Sequence, residues 1–318
     1  MKRREFIQKT AAATALLGLG LPPYCAAASG IPFSTDNSNG NGNCDTKHLT
    51  VLHTNDVHSY IDPFPPGHPK NPNMGGVARR ASLIEMIRKE NSNVLLLDAG
   101  DIFQGTPYFN YYGGELEFRL MSMMGYDAAT MGNHDFDNSI DGFYAQLPHA
   151  KFEFVSANYD FKNTILDGKV KPYTIFHKNG IKVGVFGLGI GLDGLVDKKN
   201  YKETVYNDPV GVSQDMVRIL KQDKKCDIVI CLSHLGYKYK DDPDKICDLK
   251  LATLTQDIDL IIGGHTHTFL DKPTIVKNAI NQDVLVNQVG CYGINLGRVD
   301  FYLDQNASKT TLGKSIIV

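Results

Sequence analysis

Residues 128–135 read Ala-Ala-Thr-Met-Gly-Asn-His-Asp, so a short apolar run passes directly into a polar segment. Four other polar segments follow apolar or β-branched runs in the same way: Asp56-Val57-His58, Gly100-Asp101, Ser233-His234 and Gly264-His265-Thr266-His267. These runs predict buried strands at residues 49–52, 94–97, 128–131, 228–232 and 260–262. Side chains at the carboxyl ends of strands line one crevice in an open α/β sheet, so we expect the five segments to meet there.

The stretches between these strands predict helices and further strands. Helical periodicity covers residues 77–90, 115–124, 210–221 (with Pro209 in the first turn) and, more weakly, 242–255. Asn179-Gly180 predicts a hairpin between strands at 173–177 and 181–188, and a second strand pair is expected at 284–289 and 296–303. This order predicts an α/β layered fold, a four-layer sandwich of two mixed β-sheets flanked by helices, with one domain over residues 48–318.

Composition and charge exclude two classes of partner. The chain has 318 residues, 42% of them hydrophobic and 21% charged, with a formal net charge of −2. The 33 basic residues are scattered along the chain instead of forming the basic patch that a nucleic-acid partner would need. No apolar run reaches 18 residues, so the sequence predicts no membrane span.

Residues 1–28 carry the pattern of an export signal. Lys2-Arg3-Arg4 gives a charged start with a twin arginine, residues 11–21 are weakly hydrophobic, and Ala26-Ala27-Ala28 suits cleavage. The pattern resembles a twin-arginine signal and predicts a periplasmic protein, with an ordinary secretory signal or a basic amphipathic start as alternatives. Pro22-Pro23-Tyr24 before Cys25 argues against a lipoprotein anchor. The Ser-, Asn- and Gly-rich residues 29–47 predict a flexible linker.

The five polar segments together offer the ligands of a pair of divalent cations. Carboxylate oxygen combined with imidazole nitrogen suits Zn, Mn or Fe. In Asp-x-His and His-x-His, residues two apart on an extended segment point to the same side, so each pair can hold one ion. Each segment alone is more often a turn or a capped loop; their joint occurrence at strand ends favours the metal site. The candidate ligands are Asp56, His58, Asp101, Asn133, His234, His265 and His267.

The five polar segments and their flanking residues resemble the motifs of a known family. Residues 53–58, 100–107, 132–137, 233–236 and 263–267 resemble the motifs of the calcineurin-like metallophosphoesterases. Residues 75–81 and 287–293 resemble the 5′-nucleotidase branch of that superfamily, and the likeness covers about residues 48–303. The resemblance implies a metallophosphoesterase-like catalytic domain at 48–318.

The resemblance also implies a role for each candidate. Asp56, His58, Asp101 and His267 would hold the first metal, and Asp101 would bridge to the second, which Asn133, His234 and His265 complete. A metal-bound hydroxide would attack phosphorus in line. His134 would stabilise the transition state and protonate the leaving oxygen, while Asp137 orients its imidazole. Asp135 is interpreted as a solvated or capping carboxylate, and Ser59 stands where the branch usually has Gly.

These observations predict an exported dinuclear phosphoesterase that hydrolyses phosphate monoesters, with a nucleotide as the expected small substrate. One alternative is hydrolysis of phosphodiesters, nucleotide sugars or sulfur esters at the same centre. Another is a non-catalytic metal-binding subunit. Family nucleotidases usually continue into a domain that binds the nucleoside, so a separate nucleoside-binding chain is a possible partner.

Overall fold

The computed structural model describes residues 46–304 and 308–318. The predicted export signal at 1–28 and nearly all of the predicted linker at 29–47 lie outside the described residues. Among the helices of the described part, none combines the length and the apolar character that crossing a bilayer requires.

The described residues form strands and helices in alternation. The strands are β1 Lys47–Thr54, β2 Val94–Asp98, β3 Ala128–Ala129, β4 Glu153–Phe154, β5 Tyr159–Asp160, β6 Tyr173–Lys178, β7 Ile181–Leu188, β8 Val205–Tyr206, β9 Ile228–Ser233, β10 Leu260–Gly263, β11 Thr274–Lys277, β12 Asp283–Asn287, β13 Asn295–Leu303 and β14 Lys309–Ile317. The α-helices are α1 Val77–Glu90, α2 Pro107–Tyr112, α3 Glu115–Met124, α4 Ser139–Gln146, α5 Lys198–Tyr201, α6 Pro209–Val217 and α7 Asp248–Leu254. A π-helical turn, Arg218–Asp223, continues α6, and 3₁₀ turns occupy His134–Phe136 and Leu147–His149.

Two six-stranded sheets carry the fold. The first has the order β14-β13-β1-β2-β3-β4, and the second has the order β11-β12-β10-β9-β7-β6. In the first sheet β1 runs parallel to β2 and antiparallel to β13, and in the second sheet β7, β9, β10 and β12 are parallel. In that second sheet β6 and β11 pair antiparallel with their neighbours, so both sheets are mixed. A small third sheet pairs β5 with β8.

Alternation along the strands builds three apolar layers between four layers of structure. Leu49 and Val51 belong to a cluster that also contains residues of β7, β9 and β10, which places it between the two sheets. Leu52 faces the other way, into a cluster with Ile84 of α1 and Phe118 of α3. The outer face of the second sheet packs on α6 and α7 through a third cluster. Successive strand residues point to opposite faces, so each sheet packs on both sides. The predicted four-layer sandwich of two mixed sheets flanked by helices is therefore confirmed.

Local predictions and long-range ones fared differently. The helices at 77–90 and 115–124 have the predicted bounds, and α3 ends where Gly125 adopts a left-handed φ of 72°. The helix expected at 242–255 is shorter than predicted and covers only Asp248–Leu254. The pairing of 284–289 with 296–303 was wrong. β12 lies parallel to β10 in the second sheet, whereas β13 pairs with β1 in the first.

Candidate metal centre

All five polar segments leave their strands at the same edge of the two sheets, and the chain turns sharply there. Five of the candidate ligands have a positive φ: Asp56 49°, His58 50°, Asp101 54°, His265 70° and His267 50°. Left-handed backbone is unfavourable for residues other than Gly and is tolerated mainly where surrounding structure enforces it. The clustering of such residues makes this edge the candidate functional site.

Asp56, His58 and His267 form the first group of converging ligand atoms. One ligand atom from each lies within 4.8 Å of the others. The Nε2 atoms of His58 and His267 are 3.0 Å apart, and His267 Nε2 lies 3.4 Å from Asp56 Oδ1. Asp56 and His58 are buried, and His267 is partly exposed. Two nitrogen atoms this close need a positive charge or a proton between them, which suits a cation site.

The second group consists of Asp101, His234 and His265, and one ligand atom from each again lies within 4.8 Å of the others. His234 Nε2 lies 3.0 Å from Asp101 Oδ2, and the Asn133 amide oxygen lies 2.8 Å from His265 Nδ1. The Asp101 carboxylate is also 3.8 Å from His58 Nε2 of the first group. Asp101 therefore stands between the two groups. The structure brings all seven candidate ligands together.

Two histidines of the centre, His58 and His234, direct Nδ1 at a backbone carbonyl. His58 Nδ1–H donates to the Phe103 carbonyl at 3.2 Å, and His234 Nδ1–H donates to the Ala99 carbonyl at 2.6 Å. With the proton on Nδ1, each Nε2 keeps its lone pair for a ligand bond, the arrangement found around metal-binding histidines. His234 Nε2 is buried and faces the Asp101 carboxylate, whose Oδ2 lies 3.0 Å away. The donor set thus fits divalent cations.

The electrostatics at this edge also favour positive charge. Burial alone would lower the pKa of His234, but the charge and hydrogen bond of Asp101 raise it to about 10. Burial would raise the pKa of Asp101, but the charge of His234 and the hydrogen bond to it hold that pKa well below its ordinary value. Burial and the neighbouring His234 lower the pKa of His265 to about 4, so its imidazole is neutral at pH 7 and free to act as a ligand.

His134 and Asp137 lie at the rim of the centre. His134 Nδ1 is 2.8 Å from Asp137 Oδ2, and both side chains are about a third exposed, at 37% and 31%. The hydrogen bond to Asp137 raises the pKa of His134, against the opposing effect of burial. The His134 ring lies 5.2 Å from the His58 ring, and its backbone N–H donates to Asp101 at 2.8 Å. The Asp137 carboxylate thus favours the protonated form of an imidazole that lies beside both groups of ligands.

Asp135 is not a solvated carboxylate, so that part of its interpretation was wrong. It is fully buried and accepts four backbone N–H groups, those of Gly132 at 2.8 Å, Asp101 and Ile102 at 3.0 Å and Phe103 at 3.1 Å. Burial and the charge of Asp101 raise the pKa of Asp135 to about 7. The carboxylate caps two ligand loops at once, because its N–H partners come from both.

Sequence reasoning missed Glu117, which supports the first ligand loop from α3. Ser59 is buried with a φ of 57°, and its hydroxyl donates to the Glu117 carboxylate. Thr106 Oγ1 donates to the Ser59 carbonyl at 2.8 Å. Burial raises the pKa of Glu117. A signal existed in the sequence, because Glu117 shares the apolar stripe of Met121 and Met124 at helical spacing.

The layered architecture and the converging candidate ligands are those of a calcineurin-like phosphoesterase domain, and comparison with known proteins agrees. Residues 49–269 match the calcineurin-like phosphoesterase family, so the chain belongs to it. Its relatives include the trifunctional nucleotide phosphoesterase YfkN of Bacillus subtilis (strain 168), 35% identical over 81% of this chain and 18% of that protein. A snake venom 5′-nucleotidase of Gloydius brevicauda is 32% identical over 92% of this chain and 50% of its own length.

A solved structure of a related protein has the same fold over most of this chain. The 5′-nucleotidase precursor of Thermus thermophilus superimposes with a TM-score of 0.77 and 33% identity, covering 86% of this chain and 55% of that one. Two of these three relatives, those of Gloydius brevicauda and Thermus thermophilus, are named as 5′-nucleotidases. The chain spans half or less of the length of the two curated relatives named above.

Proposed function

We propose that this chain hydrolyses phosphate monoesters, with a 5′-nucleotide as the substrate class, at a centre of two divalent cations. The observation that carries the proposal is the position of Asp101, whose carboxylate reaches His234 of one ligand group and His58 of the other. A single carboxylate can contact two cations through its two oxygens. Relatives named 5′-nucleotidase support the nucleotide as substrate.

In this proposal, Asp56, His58 and His267 would hold one cation, Asn133, His234 and His265 would hold the other, and Asp101 would contribute to both. Zn, Mn and Fe all accept such mixed nitrogen and oxygen ligands. Bound cations of this kind supply Lewis acidity, which draws charge from the phosphoryl oxygens and activates water for in-line attack.

His134 and Asp137 are proposed to protonate the leaving oxygen. As water adds to phosphorus, the bond from phosphorus to the leaving oxygen would break, and His134 would give that oxygen a proton to release the alcohol. The proton lost by the attacking water would return to the His134 ring, through solvent or the phosphate product, before the next turnover. Asp137 accepts a hydrogen bond from His134 Nδ1 and so favours the protonated ring, which leaves Nε2–H as the donor. The products are inorganic phosphate and an alcohol, here a nucleoside.

We also propose that residues 1–28 direct export to the periplasm by the twin-arginine route and that 29–47 link the signal to the catalytic domain at 48–318. The mass of the mature protein, purified from periplasmic extract, tests this directly. A separate nucleoside-binding chain remains a proposal, and co-purification from the native cell at low salt would detect it.

The experiment for the catalytic proposal combines metal content with a substrate panel. Purified protein is reconstituted with Zn²⁺ or Mn²⁺ and assayed on AMP, p-nitrophenyl phosphate, bis(p-nitrophenyl) phosphate and a nucleotide sugar. We expect turnover of the two monoesters and its loss on chelation. Asp101→Ala should lose metal and activity, whereas Asp215→Asn on the exposed face of α6 should keep both.

Three outcomes contradict parts of the proposal. Full turnover by Asp101→Ala would contradict the proposal that the Asp101 carboxylate is shared by the two cations. Preference for the diester or the nucleotide sugar shifts the substrate class while leaving the centre in place. Two bound metal ions with no turnover of any ester would favour a non-catalytic metal-binding subunit.

A further inference from the structure

Tyr292 stands beside the first ligand group in a backbone conformation that a bulky residue rarely adopts. Its φ is 62°, and its N–H donates to the Asp56 carbonyl at 2.7 Å. Its ring centroid lies 5.9 Å from that of His58 and 5.8 Å from that of His267. A Gly at this position would be free of strain, so the cost of placing Tyr here points to a use for the ring.

Two further rings extend this surface away from the ligands. The Tyr60 ring lies 4.3 Å from the Tyr292 ring with an interplanar angle of 37°, and the Phe64 ring lies 5.0 Å from Tyr60. We call Tyr60, Phe64 and Tyr292 the aromatic wall. Phe64 is buried behind the other two rings, whereas Tyr60 and Tyr292 are partly exposed.

The aromatic wall is held in place by its backbone. Tyr60 N–H donates to the Val57 carbonyl at 3.1 Å, and Phe64 N–H donates to the Met74 carbonyl at 2.9 Å. The Tyr60 bond to Val57 and the Tyr292 bond to Asp56 tie the two partly exposed rings to the loop that carries Asp56 and His58. A preorganised aromatic face beside the reacting centre is a ready site for a flat group, since stacking requires little side-chain ordering.

We propose that the aromatic wall binds the planar leaving group of the substrate, an aryl ring or a nucleobase, and so sets a preference for aromatic over aliphatic phosphate monoesters. This inference rests on the proposed function, because it names the part of the substrate that lies beyond the phosphoryl group. Rings offer every base a stacking face without reading its hydrogen-bonding edge, so the wall predicts tolerance among nucleobases. An aliphatic alcohol such as glycerol gains little from the same surface.

The experiment measures kcat/KM for AMP and for glycerol 2-phosphate in Tyr292→Leu, Tyr60→Leu and Tyr292→Phe. We expect the AMP to glycerol 2-phosphate ratio to fall about tenfold in each Leu variant, the loss of one stacking contact. Tyr292→Phe keeps the ring and should keep the ratio. Tyr111→Leu is the matched control, because Tyr111 is 82% exposed and its one ring contact among the residues described is an edge-to-face contact with its neighbour Tyr112.

Binding of adenosine gives a second readout that requires no turnover. The chain contains no Trp, so quenching of tyrosine fluorescence reports on rings of this type. We expect adenosine to bind more weakly to Tyr292→Leu than to Tyr292→Phe. An unchanged ratio in both Leu variants, or equal adenosine affinity in all variants, overturns the inference. If no ester is hydrolysed, the proposed function fails, while the adenosine measurement still decides whether the wall binds a base.

Discussion

The substitution Gly132→Ala tests how closely the two ligand loops depend on each other. A Cβ atom on Gly132 would lie 2.2 Å from Asp101 Oδ1 and 2.6 Å from His234 Cε1. Gly132 has no left-handed φ, so the backbone tolerates Ala and the conflict is entirely steric. Both groups it meets are candidate ligands of the second cation. The added methyl group therefore acts on the centre itself.

The size of the effect follows from these distances. Asp101 Oδ1 and the new methyl carbon must separate by about 0.8 Å to reach 3.0 Å, below which Cβ contacts essentially do not occur. Overpacking of this kind costs about 1–3 kcal/mol of folding free energy. A displacement near 1 Å at reacting groups costs about 100-fold in rate. We therefore expect a stability loss of about 2 kcal/mol, with about a 100-fold fall in kcat/KM for AMP.

Urea unfolding with and without added metal measures the first quantity, and metal content after dialysis against buffered Zn²⁺ measures the state of the centre. Gly67→Ala is the matched control, because a Cβ atom there meets nothing within 4 Å and the φ of Gly67 is not left-handed. Wild-type metal content together with wild-type activity in Gly132→Ala would refute the steric argument.

Three further predictions concern charge, metal and backbone strain. Asp137→Asn replaces the carboxylate, whose charge-assisted hydrogen bond raises the pKa of His134, with a neutral amide, so the alkaline limb of the kcat profile, where the proton is lost, should move to lower pH. Chelation should lower Tm by about 10 °C in calorimetry, since a ligand at 1,000 times its Kd adds about 4 kcal/mol to a domain of this size. Ser59→Gly should be more stable than Ser59→Ala by about 1 kcal/mol in urea, because both lose the bond to Glu117 but only Ala keeps the left-handed strain.

Each of these has a result that would contradict it. An unmoved alkaline limb in Asp137→Asn means that His134 does not act through its proton. Equal Tm values with and without chelator mean that the ligand groups do not bind metal tightly in the folded state. Equal stability of the two Ser59 variants means that the φ of 57° carries no strain.

The sequence predicted the positions of the candidate ligands well because each signal is local. A β-branched run that ends in Gly-Asn-His-Asp or His-Thr-His specifies both a strand and the polar group at its end, and parallel strands then bring the groups together. The helix over Val77–Glu90 was equally readable from its periodicity.

Features that depend on distant contacts were not readable. The spacing of β12 and β13 fits a hairpin, yet the choice of sheet depends on partners such as β1, which lies far away in sequence. The burial of Asp135 arises from N–H groups on another loop, which no local pattern encodes. The left-handed turn at Tyr292 could not be predicted from local sequence either, because its hydrogen-bond partner Asp56 is remote in the chain.

The antiparallel pairing of β1 with β13, in which Lys47 faces Leu303, has a consequence for protein synthesis. A ribosome adds about 5–20 residues per second, so roughly 12–50 s separate the emergence of β1 from that of its partner. During that interval one edge of an apolar strand has no neighbour, and such edges are prone to intermolecular pairing. Nascent chains released before β13 is made should therefore aggregate, and holding by a chaperone until that point would raise the yield.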